Sequence, residues 1–140
     1  MRILSLDVGE RRIGVAICDP QERLALPLTL LERRNEEATL AAIADLVVSR
    51  GAEAIVVGLP LSLDGSQGPQ AQRVMAFVEA LAQRVAVPVA TWDERLSTVE
   101  AERLLREAGH RRRALKGRRD AAAAAIILQS YLDRRRATAS

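Results

Sequence analysis

Acidic residues stand at three places in the sequence where an apolar segment ends or begins. Asp7 lies at the end of the strand-like run "RILSLDV", Asp93 and Glu94 follow the run "VPVATW", and Asp120 opens the alanine-rich segment "DAAAAAIILQSYL". Burying an unpaired carboxylate is costly, so each needs either local hydrogen bonds or a cation. Carboxylates that converge repel one another unless they are protonated or bridged by a hard cation, and Mg²⁺ has this preference for oxygen ligands.

Each of these acidic residues also has a local explanation. Asp7 could accept hydrogen bonds from the turn that follows it, Asp93 could bond within its own turn, and Glu94 could pair with Arg95. Asp120 could cap the last helix, as aspartate often does. Each residue alone is a weak signal, so the hypothesis of a shared site depends on whether the fold brings them to one place.

The segments between these residues predict a mixed α/β architecture. Three strands come first, at 2–8, 12–19 and 24–32, with a proline in the third, which suits an edge strand. A helix at about 36–50 comes next, with an apolar stripe of Leu40, Ile43, Ala44 and Val47, and a strand at 52–60 follows it. A second helix has the apolar stripe Val74, Phe77, Val78, Leu81 and Val85, and it precedes a strand at 87–92. A capping box at 97–100 opens a short helix to about Glu107, and a last helix covers 120–136.

This order indicates one domain over residues 1–140, built on a mixed five-stranded sheet flanked by helices. The first three strands form an antiparallel meander, and the other two run parallel to the first, which lies beside the fourth near the centre. Ligands of such sheets bind beyond the carboxyl ends of the parallel strands. Asp7, one of the pair Asp93 and Glu94, and Asp120 are therefore expected to meet at that edge.

Other candidate sites are weaker. His110 is the only histidine, so this chain alone supplies no catalytic triad and no multi-histidine metal site. The single cysteine, Cys18, cannot form an internal disulfide, which suits a reducing compartment. The segment "GLPLSLDGSQG" has neither P-loop nor dinucleotide-binding spacing. It is either a flexible loop over the site or a plain connector.

Charge is distributed unevenly along the chain. Residues 1–100 contain 10 Lys and Arg and 14 Asp and Glu, whereas residues 101–140 contain 11 Lys and Arg and 4 Asp and Glu. The densest cationic segment, "HRRRALKGRR" at 110–119, suits a polyphosphate partner, although a solvated surface is an equal alternative. It has no apolar stripe, so we expect it to be mobile until nucleic acid orders it. With only Phe77, Trp92 and Tyr131 as aromatics, backbone contacts rather than base stacking should dominate recognition.

The N-terminus lacks the features of a secretory or membrane segment. "MRILSLD" reaches a charged side chain within seven residues, which is too short for a signal peptide core or a membrane span. We expect a soluble cytoplasmic protein without a membrane partner.

Four motifs together resemble the YqgF/RuvX family of bacterial RNase H-like proteins, which are called pre-16S rRNA nucleases or Holliday junction resolvase homologues. They are "LDVGERRIGVAICD", "VVGLPLSLDG", "DERLSTVEAERLL" and "DAAAAAIILQSYL", and they span nearly the whole chain. The resemblance implies an RNase H-like fold and selects Asp7, Glu94 and Asp120 as the catalytic and metal-binding set. Family members often have Lys where this chain has Arg11, and either side chain can meet a phosphate.

The resemblance implies a Mg²⁺-dependent nuclease with one or two ions, for which Mn²⁺ could substitute. Metal-activated water would attack the scissile phosphodiester, so no histidine base is needed. The rRNA precursor is the favoured substrate, and the chain would act as a monomer or weak homodimer. Holliday junction resolution on four-way DNA and non-catalytic RNA binding in ribosome assembly stay open as alternatives. The expected phosphate-binding residues are Arg11, Arg12, Arg95, Arg111, Arg112, Arg113, Lys116, Arg118 and Arg119.

Overall fold

The computed structural model describes residues 1–96 and 121–139, which form one sheet with helices on both faces. The strands are β1 (Ile3–Val8), β2 (Arg12–Cys18), β3 (Ala25–Glu32), β4 (Ala54–Leu59) and β5 (Val89–Asp93). The helices are α1 (Glu36–Arg50), α2 (Pro69–Ala82) and α3 (Ala122–Ala139), and a single 3-10 turn, Glu94–Leu96, follows β5. The predicted short helix after the 97–100 capping box and the basic segment 110–119 lie outside the described residues.

The strand order confirms the predicted sheet. It is β3-β2-β1-β4-β5, with β1 at the centre. The strand β1 pairs antiparallel with β2 and parallel with β4, and β4 pairs parallel with β5. Pro27 lies on the edge strand β3, where a missing backbone donor is tolerated.

Local signals explain where α1 and α2 begin and end. The Asn35 side chain accepts a hydrogen bond from the Ala38 amide at 2.8 Å, which caps α1. Gly51 closes α1 with a φ of 64°, a left-handed conformation that glycine adopts without strain. Pro69 opens α2 at a position where its missing amide hydrogen costs nothing.

The sheet separates two apolar layers. Leu4 and Leu6 of β1 belong to the larger core, which includes buried side chains of α1 and α2, whereas Ile3 packs in the smaller core with α3. Successive strand residues face opposite sides. Ser5 and Asp7 therefore share the α3 face with Ile3, and the Ser5 hydroxyl donates to the Ala124 carbonyl oxygen at 2.6 Å.

Several predicted boundaries differ from the structure by a few residues, and two of them are informative. The strand β5 begins at Val89 rather than at residue 87 and extends to Asp93, following its register with β4. The helix α2 ends at Ala82, so Val85 lies beyond it, although Val85 still packs partly buried against the larger core. Tertiary contacts, rather than helical periodicity, account for the apolar character of Val85. Within the described part of the chain, no helix is long and apolar enough to cross a membrane.

A buried glutamine fastens α3 to the β2–β3 connection. Gln129 is 3% exposed, and its Oε1 accepts from the Ala25 amide at 2.9 Å. Its Nε2 donates to the Arg23 carbonyl oxygen and to Asp133 Oδ1, both at 3.0 Å. Both polar atoms of the side chain are thus satisfied in an otherwise apolar interface.

Replacing this amide by a hydrocarbon of similar size should destabilise the fold. In Gln129→Leu the Ala25 amide loses its acceptor, so we expect the free energy of unfolding to fall by about 1–3 kcal/mol. Urea denaturation followed by circular dichroism measures this change. The control is Gln70→Leu at an exposed position of α2, which should change stability by no more than about 0.5 kcal/mol. Equal effects of the two variants would contradict the assigned role.

Candidate active site

Asp7 is a half-buried carboxylate near the end of the central strand. It lies opposite Gly14 in the β1–β2 ladder. Within residues 1–96 and 121–139, no hydrogen-bond donor or cation pairs with its carboxylate; the Gly9 amide in the following turn donates instead to the Arg12 carbonyl oxygen at 2.9 Å. Burial raises the pKa of Asp7. The local explanation, hydrogen bonds from the turn, is therefore absent from the described structure.

Glu94 approaches Asp7 from the other side of β4. It is half-buried in the 3-10 turn after β5, and its carboxylate lies over Gly58 of β4. Burial raises the pKa of Glu94 most, and the negative charges of Asp7 and then Asp93 raise it further. The fold thus brings two of the three predicted carboxylates close enough to repel each other.

The neighbouring acid, Asp93, has a different environment. Its Oδ1 accepts from the Arg95 amide at 2.9 Å, and its Oδ2 accepts from Arg95 Nη2 at 2.7 Å. These bonds from the Arg95 side chain lower the pKa of Asp93. Arg95 therefore pairs with Asp93 and not with Glu94. As a result, the pKa of Asp93 is lowered while that of the adjacent Glu94 is raised.

Arg95 also holds the segment between β4 and α2. Its Nη1 donates to the Leu63 carbonyl oxygen at 3.0 Å. Within this segment the Asp64 carboxylate accepts from the Ser66 amide at 2.9 Å and from the Ser66 hydroxyl at 2.7 Å. The segment is thus an internally bonded turn tied to the end of β5, whereas the sequence left open a flexible loop or a plain connector.

The helix α3 fixes the turn that carries Glu94. The Ser130 hydroxyl donates to the Leu96 carbonyl oxygen at 2.8 Å and accepts from the Trp92 indole nitrogen at 3.3 Å. Trp92 also meets Tyr131 edge to face, with ring centroids 5.5 Å apart. Bonds on both sides of Glu94 therefore attach its turn to α3. Sequence reasoning missed this role of Ser130, which no local motif signals.

The other predicted site residues divide between the described and the undescribed parts of the chain. Arg11 and Arg12 are exposed at the β1–β2 turn, and Arg12 Nε lies 3.2 Å from Glu32 Oε1. Outside the described residues are Asp120 and the cationic residues Arg111, Arg112, Arg113, Lys116, Arg118 and Arg119.

The chemistry of the two described carboxylates suits a hard divalent cation. Asp7 and Glu94 offer oxygen donors, repel one another, and have no cationic partner in the described structure. Within that part of the chain, no group of three or more His, Cys, Asp or Glu side chains could hold a metal ion. A complete site therefore requires at least one further ligand.

A groove of 770 Å³ on the other face of the sheet has a different character. It lies between the β1–β2 turn and the first turns of α1 and α2, and its lining includes Arg33, Arg73, Glu10 and Glu36. Arg33 donates to the Gly9 carbonyl oxygen at 2.7 Å and lies over the Phe77 ring. The positive and negative side chains named in this groove balance, and Arg33 is already bonded within the chain. Asp7 and Glu94 therefore form the better candidate site.

Comparison with known proteins places the chain in one family. A family model described as RuvX, Holliday junction resolvase, matches residues 1–134. A protein of Chloroflexus aggregans named "Putative pre-16S rRNA nuclease" is 52% identical over 134 residues, covering 96% of this chain and 94% of that protein. One of the same name from Anaeromyxobacter sp. is 51% identical over 137 residues, covering 98% and 100%.

Solved structures show the same fold at much lower sequence identity. RuvC of T. thermophilus in complex with a Holliday junction substrate has a TM-score of 0.64 at 14% identity, covering 99% of this chain and 97% of that one. The fowlpox virus Holliday junction resolvase has a TM-score of 0.60 at 13% identity, covering 96% and 99%. These likenesses confirm the predicted RNase H-like fold.

The raised pKa of Asp7 predicts a pH-dependent gain in stability on its neutralisation. A carboxyl whose pKa is higher folded than unfolded opposes folding when ionised. This cost is full above the folded pKa, and it declines as pH falls toward the unfolded value of 3.8. Without divalent metal, Asp7→Asn should therefore be more stable than the wild type at pH 7, and the difference should shrink with acidification.

Urea denaturation between pH 4 and pH 8 in the presence of a chelator measures that difference. Asp45→Asn is the control, because Asp45 is exposed on α1 and its neutralisation should give no comparable trend. A wild type more stable than Asp7→Asn at pH 7 would mean that the Asp7 carboxylate is locally compensated.

Proposed function

The chain belongs to the RuvX (YqgF) family, and from this membership we propose that it is a metal-dependent nuclease that processes the 5′ end of the 16S rRNA precursor. The observation that carries the proposal is the pairing of Asp7 with Glu94. The two residues are distant in sequence, yet the fold brings both half-buried carboxylates close together without a cation from the described chain. Such an arrangement is unfavourable by itself, which is typical of a functional site.

The residues that would hold Mg²⁺ are Asp7, Glu94 and Asp120, and Mn²⁺ could replace it. One or two bound ions would supply Lewis acidity and an activated water for phosphodiester hydrolysis. The protein's part is to present fixed oxygen donors. The central position of Asp7 and the attachment of the Glu94 turn to α3 support this role.

Asp120 is proposed as the third ligand from its place in the chain. It directly precedes Ala121, which is completely buried, and α3 begins one residue later. The first turn of α3 is bonded to β1, because the Ala124 carbonyl oxygen accepts from the Ser5 hydroxyl. Ser5 and Asp7 share one face of β1. Chain connectivity therefore supports Asp120 as a ligand beside Asp7.

Phosphate binding would draw on the arginines around this edge. Arg12 is paired with Glu32, but both side chains are 58% exposed, and exposed pairs contribute only about 0–1 kcal/mol. Arg12 can therefore leave Glu32 and bind a substrate phosphate at little cost in free energy. Arg95 is engaged by Asp93 and Leu63, so its contribution to phosphate binding would be weaker than that of Arg11 or Arg12.

Holliday junction resolution is the second candidate, supported by the description of the matching family and by the likeness to resolvases over nearly the whole chain. A resolvase needs two sites arranged for symmetric cuts, hence a stable dimer. We favour RNA processing by a single-domain, cytoplasmic monomer or weak homodimer. Non-catalytic RNA binding is the third candidate, and loss of metal-dependent cleavage in site variants would exclude it.

The test offers both substrates side by side. We expect an rRNA precursor fragment to be cut in preference to four-way DNA, only with Mg²⁺ or Mn²⁺. Asp7→Asn and Glu94→Gln should abolish cleavage, because each removes an anionic donor while preserving shape. The matched control is Asp93→Asn, which should retain cleavage, because Asp93 is not a proposed metal ligand and the Asn side-chain oxygen can still accept from the Arg95 amide and Nε.

Gel analysis of end-labelled substrates gives the rates and the cut positions. Preferential cutting of four-way DNA would favour the resolvase. Loss of cleavage in Asp93→Asn but not in Glu94→Gln would reverse the assignment of the two acids, and full activity of Asp7→Asn would contradict the proposed site.

The basic segment 110–119 generates a separate prediction about binding. Replacing Arg111, Arg112 and Arg113 by Ala should weaken binding about equally across sequences. The log–log dependence of affinity on salt should flatten by about 0.7–0.9 for each phosphate that the variant no longer neutralises. Fluorescence anisotropy with two RNAs of unrelated sequence at several salt concentrations measures both effects. Unchanged affinity and slope would identify the segment as a solvated surface.

A further inference from the structure

Gly58 occupies a position in β4 where a side chain would collide with the candidate site. Its neighbour Val56 is buried in the smaller core beneath α3, and Gly58, two residues on, faces the same side. A Cβ at position 58 would lie 2.7 Å from Oε1 of Glu94 and 2.5 Å from Cδ1 of Ile127. Carbon atoms do not approach neighbours this closely, so one or both side chains would have to move.

Backbone conformation does not explain this glycine. Among the described glycines, only Gly51 and Gly65 have positive φ, so the conformation at position 58 is open to any residue. Glycine inside a strand weakens it and often marks the close approach of another group. What distinguishes this position is therefore the space that glycine leaves for the side chains of Glu94 and Ile127.

The order of strands shows what the missing side chain makes possible. Asp7 lies on β1 and Glu94 follows β5, with β4 between them. Neighbouring strands are about 4.8 Å apart, so β1 and β5 are separated by about 10 Å. To approach Asp7 on the α3 face, the Glu94 side chain must pass over β4, and it passes at Gly58.

We propose that Gly58 is a positioning residue for the candidate active site: its bare Cα provides the space in which the Glu94 carboxylate is held toward Asp7. This inference rests on the proposed function, since it assumes that both carboxylates bind the metal. Gly58 itself touches neither metal nor substrate. Its effect on metal binding and cleavage is exerted through Glu94.

The contact with Ile127 provides the competing explanation, in which glycine is needed only for packing. The two contacts can be separated, because Ile127→Val deletes the Cδ1 atom and leaves Glu94 untouched. Gly58→Ala made in the Ile127→Val background therefore retains the clash with Oε1 of Glu94 while relieving the one with α3. The matched control is Gly68→Ala, whose added Cβ would meet only Ser62 Oγ, at an ordinary 3.5 Å.

Mn²⁺ affinity, measured by electron paramagnetic resonance, is the main readout, with urea denaturation as a check of folding. We expect Gly58→Ala with Ile127→Val to bind Mn²⁺ about 10- to 100-fold more weakly than Ile127→Val alone, the range for residues that orient ligands. Gly68→Ala should bind like the wild type. Cleavage rates should follow the same order.

A double-mutant cycle shows whether the effect passes through Glu94. In a background of Glu94→Gln and Ile127→Val, adding Gly58→Ala should cause little further loss of Mn²⁺ affinity. An undiminished additional loss, or unchanged affinity in Gly58→Ala with Ile127→Val, would overturn the positioning role. Equal Mn²⁺ affinity of the wild type and Asp7→Asn would instead overturn the proposed metal site, and the role of Gly58 with it.

Discussion

The repulsion between Asp7 and Glu94 is the constraint on which the candidate active site depends. Each carboxylate is half-buried, and in the described chain neither has a cation beside it. Burial raises the pKa of both, and the charge of Asp7 raises that of Glu94 further. Such a pair persists only when the surrounding structure fixes it. Asp7 is fixed by the central strand β1, and Glu94 by a turn bonded to α3 through Ser130. The apolar layers thus hold together two groups that would otherwise separate.

The arrangement of Arg95 keeps this repulsion from being relieved internally. Arg95 is adjacent to Glu94 in sequence, yet its guanidinium is held by Asp93 and by the Leu63 carbonyl oxygen. The same bonds organise the β4–α2 segment and lower the pKa of Asp93. These two consecutive acidic residues therefore have different environments, since Asp93 is bonded to Arg95 and Glu94 lies near the Asp7 charge. An external cation can compensate Asp7 and Glu94 because the nearby internal cation is engaged.

The sequence predicts most of the fold because its signals are local. Short runs of apolar and β-branched residues mark the strands, and the strand order places Asp7 at the edge where ligands of such sheets bind. The choice between Asp93 and Glu94 needed the family resemblance, because they are adjacent at the end of one strand and periodicity cannot tell which faces the site. Gly58 could not be assigned a role from sequence, since its constraint arises where Glu94 and Ile127 converge on β4. The role of Asp120 as a metal ligand stays a prediction, because Asp120 lies outside the described residues.

The features that lower the stability of this fold lie together at one edge of the sheet. Elsewhere the buried polar groups have hydrogen-bond partners. Ser5 donates to α3, and Gln129 takes part in three hydrogen bonds. No buried side-chain nitrogen or oxygen of the described chain lacks a partner. At the carboxyl ends of the parallel strands, by contrast, two like charges lie close together and the interior strand β4 contains Gly58. Each feature lowers the stability of the metal-free fold. Their coincidence is expected where function, rather than stability, determines the residue types.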